Sequence, residues 1–145
     1  MKILAVTLKN LNSLRGTWNI DLTHNDYVSN GIFAVTGRTG AGKTTIFDAV
    51  CLALYAQTPR LGRIEGRKNE IMSKHTNDCG AKVKFEADGK IYVCEWTQER
   101  IYGKFQTKHS VSLNGVPIND SQKQRETISL ITQITGMDFK RFVQA

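Results

Sequence analysis

The fold is decided by the stretch Gly37-Arg38-Thr39-Gly40-Ala41-Gly42-Lys43-Thr44. It satisfies the pattern G-x-x-x-x-G-K-[ST], in which glycines let the backbone wrap closely around phosphate and point successive N–H groups inward. The pattern requires a buried strand before it and a helix after it. Both flanks fit, because residues 32–36 form a short apolar run and apolar residues recur at helical spacing over residues 43–56. The stretch therefore predicts a phosphate site at a helix N-terminus.

The chemistry of this motif assigns a role to each of its side chains. Lys43 is expected to reach the β- and γ-phosphates of a nucleotide, and the Thr44 hydroxyl to ligate Mg²⁺. Thr45, the next residue, is expected to hydrogen-bond the α-phosphate. The residues whose backbone would cradle the phosphates are Gly37, Arg38, Thr39, Gly40, Ala41 and Gly42. The motif therefore predicts a nucleotide and Mg²⁺ as ligands, with Lys43 as the candidate catalytic residue.

Composition restricts the class of protein and its compartment. The chain has 145 residues, 40% of them hydrophobic, which excludes wholesale disorder and collagen-like repeats. Lys and Arg number 20 against 13 Asp and Glu, and this charge of +7 fits a polyanionic partner. The longest apolar run, residues 46–56, is shorter than the ~20 residues of a membrane helix. Cys51, Cys79 and Cys94 have no metal-binding spacing, so we expect buried thiols in a cytoplasmic protein with no membrane contact.

The rest of the chain predicts an antiparallel β-subdomain beside the nucleotide core. Asp88-Gly89 between two alternating segments is the strongest short hairpin signal, and Asn114-Gly115 is a second. Ser121-x-x-Gln124 is a capping box that predicts a helix ending at Gly136, and Asp138 is expected to cap another. Residues 57–78 are polar and are interpreted as an exposed loop. The predicted strands are residues 2–9, 17–22, 32–36, 81–87, 90–98, 111–113 and 116–118, with 32–36 as a buried parallel strand.

Several weaker signals favour ordinary structural roles. Trp18 and Trp96 are expected in the core of the β-subdomain, and the histidines on the surface. Residues 91–95 are four hydrophobic residues followed by an acid, which is the pattern of a Walker B strand. They follow a hairpin turn directly and lack the aspartate that holds magnesium, so they are interpreted as an ordinary strand. Two basic clusters are interpreted as a solvated loop and a hairpin tip, with contact to a nucleotide base, a partner or DNA phosphates as the alternative. They comprise Arg60, Arg63, Arg67, Lys68 and Lys74, and Arg100, Tyr102, Lys104, Phe105 and Lys108.

Six segments resemble bacterial SbcC, the SMC-like ATPase subunit of the SbcCD nuclease. They are residues 1–4, 8–14, 37–45 with 48–55, 58–61 and 136–142. The resemblance implies an α/β P-loop fold of ABC/SMC type, with a mixed sheet, a P-loop helix and an antiparallel β-subdomain. Residues 1–145 would then be the N-terminal lobe of a split ATPase head, without the Q-loop, signature motif, Walker B acids or coiled coil. Without those groups, we expect this lobe alone not to hydrolyse ATP at a meaningful rate.

The same resemblance implies a function and partners. It implies ATP-dependent cleavage of DNA hairpins and double-stranded ends in DNA repair, with an SbcD-like nuclease subunit and a second SbcC head as partners. Asn10, Asn12 and Ser13 match the loop after the first strand that approaches the nucleotide. Two alternatives stay open at this point. One is another P-loop ATPase, such as a RecF-like loader or a transporter ATPase, and the other is a fragment that binds nucleotide or DNA without turnover.

Overall fold

The computed structural model describes residues 1–23, 28–29, 32–33, 41–64, 69–119 and 123–144, with the backbone alone for 28–29, 32–33 and 41–43. Ten strands and three helices lie in this part of the chain. The strands are β1 Lys2–Leu11, β2 Leu14–Asp21, β3 Val28–Ser29, β4 Ile32–Phe33, β5 Gln57–Thr58, β6 Gly62–Arg63, β7 Asp78–Ala87, β8 Lys90–Ile101, β9 Lys104–Leu113 and β10 Val116–Pro117. The helices are α1 Ala41–Tyr55, α2 Gln124–Thr135 and α3 Phe139–Gln144. No helix in these ranges is long and apolar enough to cross a membrane.

Six of the strands form one antiparallel sheet in the order β10-β9-β8-β7-β1-β2. The four strands β7 to β10 follow one another through three two-residue turns, at Asp88-Gly89, Tyr102-Gly103 and Asn114-Gly115. Both residues of each turn have positive φ, as the hairpin turn of type I′ requires. The sequence predicted the first and third of these turns. Around Tyr102-Gly103 it predicted a hairpin tip but neither the turn residues nor the strand lengths, because tyrosine is not a residue typical of this turn, and β9 is therefore longer than expected.

Helix α1 packs on one face of this sheet, against β7, β1 and β8. Alternate residues of β7 and β8 face it, including Val83, Phe85 and Trp96, which are fully buried. The sequence predicted that one apolar face of α1 is buried. The structure buries every side of the helix from Asp48 to Tyr55. The helix is enclosed because the sheet covers one side and α2 and α3 approach from another.

The two short helices α2 and α3 complete this core. Gly136 ends α2 with φ 74°, the left-handed conformation predicted for it, and Asp138 Oδ1 accepts the Arg141 N–H at 2.8 Å as a helix cap. The predicted capping box is wrong, because α2 begins at Gln124 after Lys123, which makes no side-chain cap bond; Ser121 lies outside the described residues. The rings of Phe139 and Phe142 pack against Tyr55.

The prediction of an exposed loop over residues 57–78 is wrong for much of its length. Strands β5 and β6 pair as a small hairpin there, and Ile64 and Ile71 are buried in the core. Thr58 and Ser73 are buried as well, with their hydroxyls bonded to the Leu61 N–H and the Asn12 carbonyl. The polar composition misled the prediction because these side chains satisfy backbone groups inside the fold.

Three further expectations need correction or lie outside the described ranges. Trp18 is 48% exposed on the edge strand β2, with its indole N–H donated to the Arg15 carbonyl, whereas Trp96 is buried as predicted. His109 is not a surface residue, since its Nε2 bonds the Ala53 carbonyl at 2.8 Å, and burial lowers its pKa. Every strand pair in the described part is antiparallel, so the parallel pairing of residues 32–36 is not found there; residues 34–36 are outside it.

The link between α1 and α3 can be tested at Tyr55. Its hydroxyl donates to the Met137 carbonyl at 2.7 Å, and burial raises its pKa to about 12. Tyr55→Phe removes this bond and leaves the Thr135 hydroxyl, at 3.1 Å, as the remaining side-chain donor to the carbonyl, so we expect the free energy of unfolding to fall by about 1 kcal/mol. Chemical denaturation measures it. Tyr102→Phe is the matched control, because Tyr102 is fully exposed at a turn, and equal losses from both substitutions would contradict the assignment.

Candidate nucleotide-binding site

The N-terminus of α1 forms the described end of the predicted phosphate loop. The helix begins at Ala41, so the motif residues Ala41, Gly42 and Lys43 lie in its first turn, and residues 37–40 lie outside the described ranges. The first turn contains no acidic residue, and the free N–H groups and dipole of a helix N-terminus favour an anion. Thr44 is exposed, whereas Thr45 is fully buried. Of the two threonines, only Thr44 presents its side chain to solvent.

The turn between β1 and β2 lies against this helix. Asn12, in the left-handed conformation at φ 50°, donates from Nδ2 to Thr45 Oγ1 at 3.1 Å and to Asp48 Oδ2 at 3.5 Å. Ser13 is exposed beside it. Asn12 thus contacts side chains of the P-loop helix itself. The approach of Asn12 and Ser13 to the nucleotide, which the resemblance implies, stays a prediction.

Asn10 points away from the helix. Its Oδ1 accepts the Gly16 N–H at 2.7 Å, and its Nδ2 donates to the Asp78 carbonyl at 2.9 Å. Lys9 pairs with the Asp78 carboxylate at 2.6 Å. Asn10 is thus bonded within the β1–β2 turn and to β7, and the structure does not bring it to α1. Its expected approach to the nucleotide stays a prediction.

A segment that we call the strap, residues 69–77, holds the β1–β2 turn from the other side. The Asn12 N–H donates to the Ile71 carbonyl at 2.7 Å, and Ser73 bonds the carbonyls of Asn10 and Asn12 through its N–H and hydroxyl. Arg15 adds a bond to the Lys74 carbonyl at 2.8 Å. The turn is therefore fixed between the strap and α1. Sequence reasoning missed the strap because its bonds are mainly to backbone groups.

The strap is anchored in the sheet by a pair of amide side chains, of which Gln98 is buried and Asn69 is half-buried. Asn69 Nδ2 donates to Gln98 Oε1, and Gln98, fully buried in β8, donates to Thr107 Oγ1 of β9 at 2.9 Å. The amide oxygen of the same side chain, Asn69 Oδ1, accepts the N–H groups of Ile71 and Met72. Buried amides need such partners, because an unpaired one costs roughly 1–3 kcal/mol. The position of the strap is thereby set by the hydrogen bonding of Gln98.

Asp48 is the buried charge of this site. It is 3% exposed, and burial raises its pKa, while the Asn12 hydrogen bond and the nearby charge of Arg60 act in the opposite direction. Arg60 itself is exposed. Sequence analysis did not assign Asp48 a role. The available signal was a carboxylate interrupting an otherwise apolar run, which in a buried helix requires a hydrogen-bond donor.

The other candidate residues are not gathered at this site. Arg63 and Lys74 of the first basic cluster are exposed, Arg67 and Lys68 lie outside the described ranges, and the second cluster forms the β8–β9 hairpin tip. Residues 91–95 are part of β8, as predicted. The three cysteines are buried and free, and burial raises the pKa of the Cys51 thiol to about 12. No group of His, Cys, Asp and Glu within the described residues could hold a metal ion.

Comparison with known proteins identifies the family. A model of the AAA domain matches residues 5–144. The chain belongs to the AAA domain family. It is 36% identical to the SbcC subunit of the nuclease SbcCD from Pseudomonas aeruginosa, over 100% of this chain and 14% of that protein. It is 31% identical to the SbcC subunit from Rhodobacter capsulatus, over 98% of this chain and 13% of that protein. These relatives confirm the resemblance to SbcC that the sequence showed.

Other relatives agree with this assignment. A probable DNA double-strand break repair Rad50 ATPase of Aquifex aeolicus is 29% identical over 82% of this chain and 12% of that protein. The SMC head domain from Thermotoga maritima superposes with a TM-score of 0.52 at 19% identity, covering 90% of this chain and 42% of that one. The structural match confirms the predicted α/β fold of SMC type. The chain spans about one seventh of the Pseudomonas aeruginosa relative.

The burial of Asp48 predicts a pH effect on stability. Since its pKa is higher in the folded state than the usual ~4, the folded state holds this proton more tightly, and stability falls as pH rises from ~4 through the folded pKa. Asp48→Asn keeps an acceptor for Asn12 and removes the titration. Urea denaturation between pH 4 and pH 7 should therefore show a smaller loss of stability in the variant.

The control for this measurement is Asp88→Asn, which removes the same charge from an exposed turn. The difference between the two variants isolates the contribution of burial. If Asp48→Asn and the unmodified protein lose stability in parallel over this range, the carboxylate is not held in the environment that the structure shows.

Proposed function

We propose that this chain is the ATP-binding N-terminal lobe of an SbcC-type ATPase head, over residues 1–145. One observation carries the proposal: the phosphate-loop motif ends in the first turn of α1, and the β1–β2 turn is hydrogen-bonded to the next turn of that helix through Asn12 and Thr45. The family match and the SbcC relatives support it over nearly the whole chain. A RecF-like loader or a transporter ATPase has no comparable support among these relatives.

The residues present fit a nucleotide with its magnesium ion. The backbone of residues 37–42 would cradle the phosphates, and Lys43 would place a positive charge beside the β- and γ-phosphates. Thr44 is exposed at the start of α1, where its hydroxyl can serve as a hard oxygen ligand; Mg²⁺ takes few protein ligands and keeps phosphates and waters for the rest. Bound there, the ion would neutralise charge that develops on the phosphates.

The proposed assembly follows from the names of the relatives. SbcC is one subunit of the nuclease SbcCD. One similar solved structure comes from work on the ATP-driven dimerisation and DNA-stimulated activation of SMC ATPases. We therefore propose an SbcD-like nuclease subunit, a second head and double-stranded DNA ends and hairpins as partners of the full-length protein. Its place would be the cytoplasm, in DNA repair.

Substitution of Lys43 tests nucleotide binding. Lys43→Ala removes the charge facing the phosphates and leaves the loop backbone intact, so we expect no detectable binding of Mg-ATP by isothermal titration of the full-length protein. Lys108→Ala, an exposed lysine of β9, is the matched control and should bind normally. Unchanged affinity in Lys43→Ala would remove the phosphate-site assignment.

DNA binding is tested at the exposed basic residues Arg63 and Lys74. Arg63→Glu combined with Lys74→Glu should weaken duplex binding by the intact complex and flatten its salt dependence, because each lost phosphate contact lowers the slope by roughly 0.9. The control is Lys84→Glu with Lys90→Glu, which reverses two exposed charges on β7 and β8. An identical salt slope in both double variants would leave Arg63 and Lys74 as solvated surface residues without a DNA contact.

A further inference from the structure

Asn12 is fixed at four points by two different elements. Its two amide protons are directed to α1, at Thr45 Oγ1 and Asp48 Oδ2, and its backbone N–H and C=O are bonded to the strap at Ile71 and Ser73. It adopts the left-handed conformation, which asparagine tolerates better than most residues. The side chain is therefore held in one orientation, with both of its donors already engaged.

The contact with Asn12 determines whether the Thr45 hydroxyl donates or accepts a hydrogen bond there. A threonine hydroxyl has one proton to donate and lone pairs that accept, whereas the Asn12 amide nitrogen only donates. Thr45 Oγ1 must therefore accept from Asn12, and its own proton is directed elsewhere. Because Thr45 is fully buried, bulk water does not compete for the hydroxyl, and its direction is set by the neighbouring protein groups.

We propose that Asn12 is a positioning residue of the phosphate site, which acts on bound nucleotide through Thr45 and the first turns of α1 and not by contact with the base. The inference rests on the proposed function. This role differs from the expectation that the β1–β2 turn contacts the nucleotide directly. The amide protons of Asn12 that could bond a base are donated to Thr45 and Asp48 instead.

The first test compares ligands that share phosphates but not a base. Mg-ATP, Mg-GTP and magnesium tripolyphosphate are titrated into the full-length protein and its Asn12→Ala variant. Removing the two hydrogen bonds that the Asn12 amide donates to α1 should weaken all three ligands by a similar factor of about 3 to 10. A loss for ATP with tripolyphosphate unaffected, or a changed ratio of ATP to GTP affinity, would instead mean base contact and would overturn the proposal.

A second test asks whether the effect passes through Thr45. Thr45→Val removes the hydroxyl with little change of shape. In that background Asn12→Ala should cost less than about a further twofold, because residues that act through one another are not additive. Full additivity of the two losses would show that Asn12 acts independently of Thr45 and would refute the proposed route.

The last comparison separates positioning from general support of the fold. Ser73→Ala removes the strap hydroxyl from the Asn12 carbonyl and leaves the amide contacts with α1 in place. It should lower the unfolding temperature and keep ATP affinity within about twofold, whereas an affinity loss equal to that of Asn12→Ala would indicate a merely structural role. If the unmodified protein binds no ATP, the proposed function fails; if it does and Asn12→Ala binds equally well, only this inference fails.

Discussion

The enclosure of α1 is the constraint on which the rest of the structure depends. Every residue from Asp48 to Ala56 is at most 3% exposed, with β1, β7 and β8 on one side and the rings of α3 on another. A fully buried leucine contributes roughly 1.5–3 kcal/mol, so this segment supplies a large part of the core. A helix buried at its end must also satisfy its last carbonyls. Here the Ala53 carbonyl is bonded by His109 of β9, and the Ala56 carbonyl accepts the Ile64 N–H. The end of α1 therefore positions both β9 and the chain that follows the helix.

Because its C-terminal half is enclosed, the N-terminal end of α1 is the part left for a ligand. Thr44 is exposed, and burial begins at Thr45. At that boundary the apolar core gives way to polar groups, and Asn12 supplies the donors that Thr45 and Asp48 require. A carboxylate buried without a donor would be costly, so the β1–β2 turn stabilises the helix at the same place where it shapes the site.

The sequence predicted those features that local chemistry determines. The turns Asp88-Gly89 and Asn114-Gly115 and the helix end at Gly136 require particular backbone conformations, which these residues favour. The P-loop helix was predictable because its motif and its apolar spacing agree. The strap and the positions of Trp18 and His109 were not predictable, because they depend on which distant groups the fold brings together. A histidine bonded to a helix carbonyl 56 residues away leaves no local pattern.

The hydrogen bonds of the strap explain how so polar a segment takes a defined place in the fold. A series of hydrogen bonds runs from α1 across the turn and the strap to β9, and every step joins two different segments of the chain except the one from Ile71 to Asn69, which lies within the strap. The bonded residues are, in order, Thr45, Asn12, Ile71, Asn69, Gln98 and Thr107. Each polar group along this path would lose its partner if its neighbour moved, and a buried polar group without a partner destabilises the folded state. The position of the β1–β2 turn at the phosphate site is therefore supported by the same buried Gln98 amide that bonds Thr107 of β9, and a substitution at Gln98 would disturb the site without touching it.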